Sequence, residues 1–472
     1  MAAQRSLEDT YDKKDCKEYR ASDIPALEEE DSKLKRLGIR PELRREFTSL
    51  STISFALGVV GCAASVASTL NTPLLLGGPA TVVWAWLLGS VGCICIALSV
   101  AELVSAYPTA GGLYTSTAYV VPSEYRASIT FVSGWMTIMG QLAAPASGTY
   151  ALSQMIFSAA TIATDGNFVA SSRQILGLYV GLIVALGMTN SLPTKYLHKL
   201  YTSYVYLNIF TTLAVIIAVP AAGAGKLASH KFVWTEIIDS SGWDSKGFVF
   251  LLGLLSVQWV MTDYDGAAPI CYGIQDFSAL PGPTGLAFAQ NALPDRKMLA
   301  KVWSRTGTPV YASIFSVVII TAFGMLSLAS SVAINAVFSI VAVALDVTYM
   351  IPITAKAYIF LRRDGDVNFT PGPFYMGKWG YIINVYAILW TCLETGVLIM
   401  PQVRPVTGST MNYAGPIMGG VCGLSWVWYK LYWHRFYFGP GKHAFPSSLH
   451  SEEASSASIT DDLYLPDTHT KA

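Results

Sequence analysis

The stretch FVFLLGLLSVQWVMTDYDGAA, residues 248–268, begins as an apolar run of the kind that crosses a lipid bilayer. It then places Asp263 and Asp265 on either side of Tyr264, directly before Gly266. A carboxylate at the centre of a bilayer costs about 2.5–3.5 kcal/mol on insertion scales, so such an acid must face a cavity, carry a proton or meet a cation. This stretch therefore predicts a membrane helix that ends or breaks at a polar site.

The composition of the whole chain is that of a membrane protein. Of its 472 residues 52% are hydrophobic and only 13% are charged, against roughly 25% charged in soluble domains. The mean hydropathy is +0.43. Lys and Arg together number 31, as do Asp and Glu, so the net charge favours neither nucleic acid nor a strongly anionic partner. The lipid bilayer is the expected partner.

Ten apolar runs approach the roughly 20 residues that a helix needs to cross the hydrocarbon core. We expect spans near residues 50–70, 80–104, 129–159, 175–191, 201–222, 248–273, 309–330, 333–361, 381–401 and 414–433. The runs are continuously apolar and do not alternate as the lipid-facing strands of a barrel do. The sequence therefore predicts an all-α polytopic membrane protein.

Basic residues predict the orientation of these spans. The segments KLKRLGIRPELRREF, TKYLHKL, DRKMLAKVWSR and LRRDG fall on one side if ten spans alternate, and that side is expected to be cytosolic, with both termini. The polar tails, residues 1–47 and 434–472, are expected to be disordered cytosolic segments around a transmembrane domain at 48–433. No apolar signal-peptide region precedes the first span, which is expected to direct insertion.

Five acidic residues lie within the predicted spans: Glu102, Asp263, Asp265, Asp346 and Glu394. We expect no basic side chain in the membrane to pair with them, so that their cation would be a ligand or a proton. Glu102 and Glu394 lie near helix ends and are expected to snorkel to water. Asp346 is nearer the middle of its span, and both a functional and a structural role stay open for it.

Two interpretations of the acids in the sixth span remain. In one, the helix ends at Met261 and the acids cap its cytosolic mouth. In the other, the helix breaks at residues 262–266, because broken membrane helices are tolerated where their freed backbone lines a binding cavity. Trp259 and Tyr264 can then stack on an ammonium group. The second interpretation predicts a substrate site.

The first span contains a similar irregularity within two turns. Its small residues are Gly58, Gly61, Ala63, Ala64 and Ser65. Small residues at this spacing form either a helix-packing surface or an unwound segment. Two interruptions five helices apart are typical of an inverted-repeat transporter.

Six motifs taken together resemble those of a known family. They are FTSLSTISFALGVVG, NTPLLLGGPATVVWAWLLGS, AELVSAYPTAGGLY, SVQWVMTDYDGAA, SRTGTPVYA and PVTGSTMNYAG. With them the chain resembles the amino acid–polyamine–organocation transporters, and within these the fungal amino-acid/choline group that includes GABA and choline permeases. The resemblance covers residues 47–433.

The resemblance implies an inverted-repeat fold of the leucine-transporter type and secondary active transport of a small amine-bearing solute by proton symport. An amino acid such as GABA is the first expectation, followed by choline or a polyamine. The plasma membrane is the expected location, with the vacuolar membrane as the alternative. The resemblance also implies a substrate-binding set: Gly61, Cys62, Ala64, Ser65, Gln141, Trp259, Thr262, Asp263, Tyr264 and Asp265.

One segment departs from the family pattern of twelve spans. The stretch PICYGIQDFSALPGPTGLAFAQNALPD, residues 269–295, passes directly from the sixth helix to what resembles the tail of the eighth. We therefore expect the seventh helix and most of the eighth to be missing. This leaves a non-transporting remnant or a nutrient sensor as an alternative to a permease.

An enzyme is disfavoured, because the spans offer no histidine and no nucleophile–base pair. Six of the seven cysteines lie in apolar spans and are expected to be small core residues. We expect no metal site and no cofactor.

Overall fold

The computed structural model of the chain describes residues 61–107, 111–192, 194–263, 292, 310–329, 331–362, 369–408, 410–437 and 439–440. The first half of this part contains ten helices: α1 Cys62–Thr69, α2 Asn71–Leu75, α3 Gly78–Ala106, α4 Gly112–Val120, α5 Ser123–Ala163, α6 Ser172–Asn190, α7 Thr194–Ala222, α8 His230–Thr235, α9 Lys246–Leu252 and α10 Leu255–Met261. The second half contains α11 Val310–Ala329, α12 Ser331–Leu361, α13 Gly377–Leu398, α14 Ala414–Leu431 and a 3-10 turn at Trp433–Arg435.

Two short strands, β1 Leu76–Gly77 and β2 Ile238–Asp239, pair antiparallel with Leu76 opposite Asp239. Everything else of regular structure in the described ranges is helical, which confirms the all-α class. Because β1 directly follows α2, this pairing holds the end of α2 against the segment between α8 and α9.

Six helices in the described part of the chain are long and apolar enough to cross a membrane. They are Gly78–Ala106, Ser172–Asn190, Ser203–Ala222, Val310–Leu328, Ala336–Leu361 and Gly377–Leu398. All six coincide with predicted spans. Of the first predicted span only residues from Gly61 onward are described, and the junction at 269–295 also lies outside the described residues apart from Ala292.

The sixth predicted span differs from its expectation. The run from residue 248 forms two short helices, α9 and α10, instead of one. Gly253 lies between them, and a Cβ on it would come within 2.5 Å of the Thr81 side chain on α3. The turn therefore packs directly on α3, and a side chain at Gly253 would prevent this contact.

Helix α12 is the centre of the packing. It contacts α3, α4, α5, α10, α11, α13 and α14, and most of its described side chains from Ile334 to Tyr349 are buried. It also places Asp346 and Lys356 inside the protein. Both charged side chains are therefore held by a helix whose middle is buried, although its last turns are partly exposed.

Candidate functional site

The end of α10 is the first element of the site. The helix ends at Met261, after which Thr262 is extended and Asp263 has a φ of 70°. A positive φ is uncommon outside glycine, although aspartate and asparagine adopt it more readily than most residues. The chain thus leaves the helical path at the acid itself. The rest of the predicted break, with Tyr264, Asp265 and Gly266, lies outside the described residues.

Helix α1 is the second element of the site. Gly61 precedes the helix in the left-handed conformation, with φ 56°, and provides no side chain to cap it. The first N–H groups of a helix have no partner within it and favour an anion such as a carboxylate. Helix α1 packs on α5 and α10, and the Thr69 and Ser256 hydroxyls are 2.8 Å apart. This contact joins the end of α1 to the start of α10, so the two short helices pack side by side.

The predicted residues on α1 differ in exposure. Cys62 and Ser65 are partly buried, whereas Ala64 is exposed. The Ser65 carbonyl accepts hydrogen bonds from the Ser68 and Thr69 hydroxyls. These two contacts lie within α1 and do not reach α10.

Helix α5 contacts the acid at the end of α10. The Gln141 amide donates to Asp263 Oδ1 at 2.7 Å, and the Trp259 indole donates to the Ser147 hydroxyl at 3.0 Å. The Trp259 ring also packs on Phe338 of α12, with 5.4 Å between centroids. Gln141, Trp259, Thr262 and Asp263 are thus brought together. Ser147 and Phe338 were not predicted.

A buried polar network continues from Thr262 into the protein. Thr262 Oγ1 donates to Asp346 Oδ1 at 3.3 Å, and the Gln258 amide donates to Asp346 Oδ2 at 3.4 Å. The Cys93 thiol donates to Gln258 Oε1 at 2.7 Å. Gln258, a polar residue within an apolar run, was the available signal for this network. It connects α3, α10 and α12 next to Asp263.

Glu394 of α13 reaches the same network. Its carboxyl group faces that of Asp346 and lies beside the Trp390 indole, one turn earlier on the helix. Only 1% of Glu394 is exposed, so the expectation that it snorkels to water is wrong. Its position near a helix end was misleading, because α13 packs that end against α12.

Glu102 is also buried and forms an ion pair with Lys356 of α12. The Lys356 ammonium lies 4.8 Å from the centroid of the Phe369 ring. The expectations that Glu102 snorkels and that no basic residue pairs with an acid in the spans are therefore wrong. Lys356 lies within the eighth predicted span, and the packing of α3 on α12 brings the two charges together across 254 residues of sequence.

An open cavity lies at the other end of α1. It measures ≈ 780 Å³, including solvent at its mouth. Its wall includes Asn71 and Thr72 of α2 together with Gln402 and Asn412. Helix α1 therefore lies between Gly61 and this open cavity.

These features define a class of protein: a multi-pass α-helical membrane protein in which two short helices pack together beside a polar, partly buried site. A family model described as amino acid permease matches residues 47–272 and 279–422. The chain belongs to this amino acid permease family, within the amino acid–polyamine–organocation superfamily expected from the motifs. Its named relatives are transporters rather than enzymes.

Three relatives indicate the range of similarity. An uncharacterised amino-acid permease of Schizosaccharomyces pombe is 32% identical over 498 residues, covering 89% of this chain and 91% of the relative. Amino-acid permease 2 of Neurospora crassa is 28% identical over 496 residues, with 89% and 90% covered. The GABA-specific permease of Saccharomyces cerevisiae is 25% identical over 490 residues, with 86% and 85% covered.

Proposed function

We propose that the protein takes up a small amine-bearing solute, foremost an amino acid such as GABA, by proton symport across the plasma membrane, with both termini in the cytosol. The observation that carries the proposal is the packing of α1, which begins after the left-handed Gly61, against α10, which ends directly before Thr262 and Asp263. The N-terminal backbone of α1 suits a substrate carboxylate, and Asp263 at the end of α10 suits its amine. The two groups together match the two charged ends of an amino acid.

The aromatic wall supports an amine as the substrate's second group. Trp259 and Phe338 lie against each other next to Thr262 and Asp263, and both rings are only partly buried. An ammonium group gains about 0.5–2 kcal/mol over such a ring. Choline or a polyamine would use the same wall and acid without needing the α1 backbone, so these are the next candidates.

Uptake of a panel of labelled solutes tests the proposal. Cells or proteoliposomes containing the protein receive GABA, other amino acids, choline and a polyamine, with and without an inward proton gradient. We expect accumulation of an amino acid that collapses when the gradient is removed. Accumulation of choline alone would exclude a role for the carboxylate-binding backbone, and uptake unaffected by the gradient would exclude proton symport.

Gly61→Leu tests the α1 end of the site. A leucine there is strained, because left-handed backbone costs an L residue about 1–2 kcal/mol, and its bulk blocks approach to the first N–H groups. We expect transport to be abolished while membrane insertion is retained. Gly419→Leu on α14 is the matched control, since a Cβ there meets no atom within 4 Å. Normal transport by the Gly61 variant would mean that the substrate does not use this backbone.

A second candidate is a chain that inserts but transports poorly, because it lacks two spans between about Pro269 and Leu286. The alignment with the fission-yeast permease runs over 498 positions although this chain has 472 residues, so the relative contains residues with no counterpart here. The family match is also split between residues 272 and 279. Both observations support an internal gap.

Sequencing the transcript across the codons for residues 269–286 tests this second candidate. We expect the transcript to encode two further spans. A transcript that encodes the 472 residues as they stand, with a product that accumulates substrate as fast as a twelve-span relative, would mean that ten spans suffice.

A further inference from the structure

Asp346 and Glu394 face one another in the interior, with 0% and 1% of their surfaces exposed. Two carboxylates side by side in a medium of low dielectric repel each other, so both do not stay ionised without a compensating cation. The nearest basic residue on α12, Lys356, is bound to Glu102. The pair therefore needs a proton or a small cation from elsewhere.

The hydrogen bonds around the pair point to a proton. Both oxygens of Asp346 accept from protein donors, Gln258 and Thr262. The Glu394 carboxyl has the Asp346 carboxyl and the Trp390 indole as its polar neighbours in the described part of the chain. Ionised carboxyls only accept hydrogen bonds. One proton on Glu394 would make it a donor to Asp346 and satisfy the contact between them.

The other titratable groups on the packed elements have their own partners. The Cys93 thiol of α3 donates to Gln258, and Asp263 beyond α10 accepts from Gln141. On α13, Cys392 contacts Met350 and Tyr386 stacks on Trp390. In the described ranges no three of His, Cys, Asp and Glu are grouped to hold a metal ion. A proton is thus the cation that fits this pair.

The pair is connected to the substrate site by the peptide backbone. Thr262, which donates to Asp346, directly precedes Asp263, which we propose meets the substrate amine. A shift of Asp263 towards an amine therefore acts on the hydrogen bond between Thr262 and Asp346. Two adjacent residues thus form a short path between the proposed substrate-binding acid and the carboxyl pair.

We propose that Asp346 and Glu394 share one proton and form the site at which the protein binds its coupling proton. The coupling role rests on the proposed proton symport, whereas the shared proton does not. No covalent chemistry is involved, since the proton moves between a carboxyl oxygen and water.

Infrared spectroscopy of the full chain in lipid nanodiscs tests the shared proton without requiring transport. At neutral pH we expect the C=O stretch of a protonated carboxyl group. Glu394→Gln should remove it and Asp346→Asn should shift or remove it. Glu124→Gln is the control and should leave the band unchanged, because Glu124 is exposed at the start of α5. A band that is absent from the wild type, or unchanged in both variants of the pair, would overturn the proposal.

Proteoliposomes test the coupling role. With labelled GABA, or the amino acid that the uptake panel identifies, Glu394→Gln should lose accumulation driven by a proton gradient. It should still exchange labelled for unlabelled substrate, which shows that the variant is folded. Accumulation by this variant with the wild-type dependence on the gradient would overturn the coupling role. Uptake that follows a sodium gradient instead would assign the site to sodium and also overturn it.

The two proposals fail in different ways. If the wild type neither exchanges nor accumulates any solute, the proposed function falls and the coupling role falls with it. The infrared result then decides by itself whether the pair holds a proton.

Discussion

Helix α12 carries two buried acidic sites that are neutralised differently. At Lys356 an ammonium group of the protein pairs with Glu102. Ten residues earlier, about 15 Å along the helix axis, Asp346 faces Glu394, and no described basic side chain contacts either acid. The first site contains its own counter-ion and is structural. The second lacks one and lies next to the helix break, which suits it to a cation that comes and goes.

The largest effect is expected when Lys356, the counter-ion of Glu102, is removed. Lys356→Met leaves the Glu102 carboxylate buried and unpaired, which costs about 3–5 kcal/mol of folding free energy. We expect a large fall in the thermal unfolding temperature of the purified protein. The double variant Glu102→Gln/Lys356→Met should recover most of the loss. If the single variant melts like the wild type, the ion pair does not stabilise the fold.

A third acid, Asp263 after the end of α10, is expected to contact the amine of the substrate at the proposed site. Asp263→Asn retains a group that can contact Gln141 but loses the charge that attracts an amine. Loss of a charge-assisted contact of about 1.5–3 kcal/mol weakens apparent affinity about tenfold to a hundredfold. Concentration-dependent uptake measures this change.

Glu236→Gln is the control for that variant, since Glu236 is exposed in the loop after α8. It should leave the uptake kinetics unchanged. Normal uptake kinetics in Asp263→Asn would mean that Asp263 only caps the end of the helix. The same uptake measurement on Asp265→Asn tests the second of the two acids that the sequence predicted at this site.

A smaller effect is expected where α13 passes the ion pair. A Cβ on Gly380 would lie 3.1 Å from Glu102 Oε2, whereas a Cβ on Gly396 of the same helix meets no atom within 4 Å. Both alanine substitutions gain helix propensity, but only Gly380→Ala crowds the carboxylate. We expect it to be less stable than Gly396→Ala by about 1 kcal/mol. Equal melting temperatures would mean that Glu102 moves aside without cost.

Much of the candidate site was accessible from the sequence because its signals are local. Asp263 interrupts an apolar run, Gly61 lies in a cluster of small residues, and Gln141 was a weaker candidate that the structure places against Asp263. The division of the sixth span at Gly253 was missed. At this turn Gly253 packs directly on Thr81 of α3, a contact that no local pattern reveals.

The sequence by itself determined the class of this protein: long apolar runs require a membrane, and a membrane requires helices whose backbone groups are satisfied internally. It also determined that acids would lie inside those helices. Only the tertiary structure decided which acid has a partner. Glu102 and Glu394 look alike in sequence, each near the end of an apolar helix, yet one meets an ammonium group and the other a second carboxyl. The outcome depends on how each helix is rotated and shifted against α12, and those degrees of freedom are fixed by side-chain packing across the whole bundle.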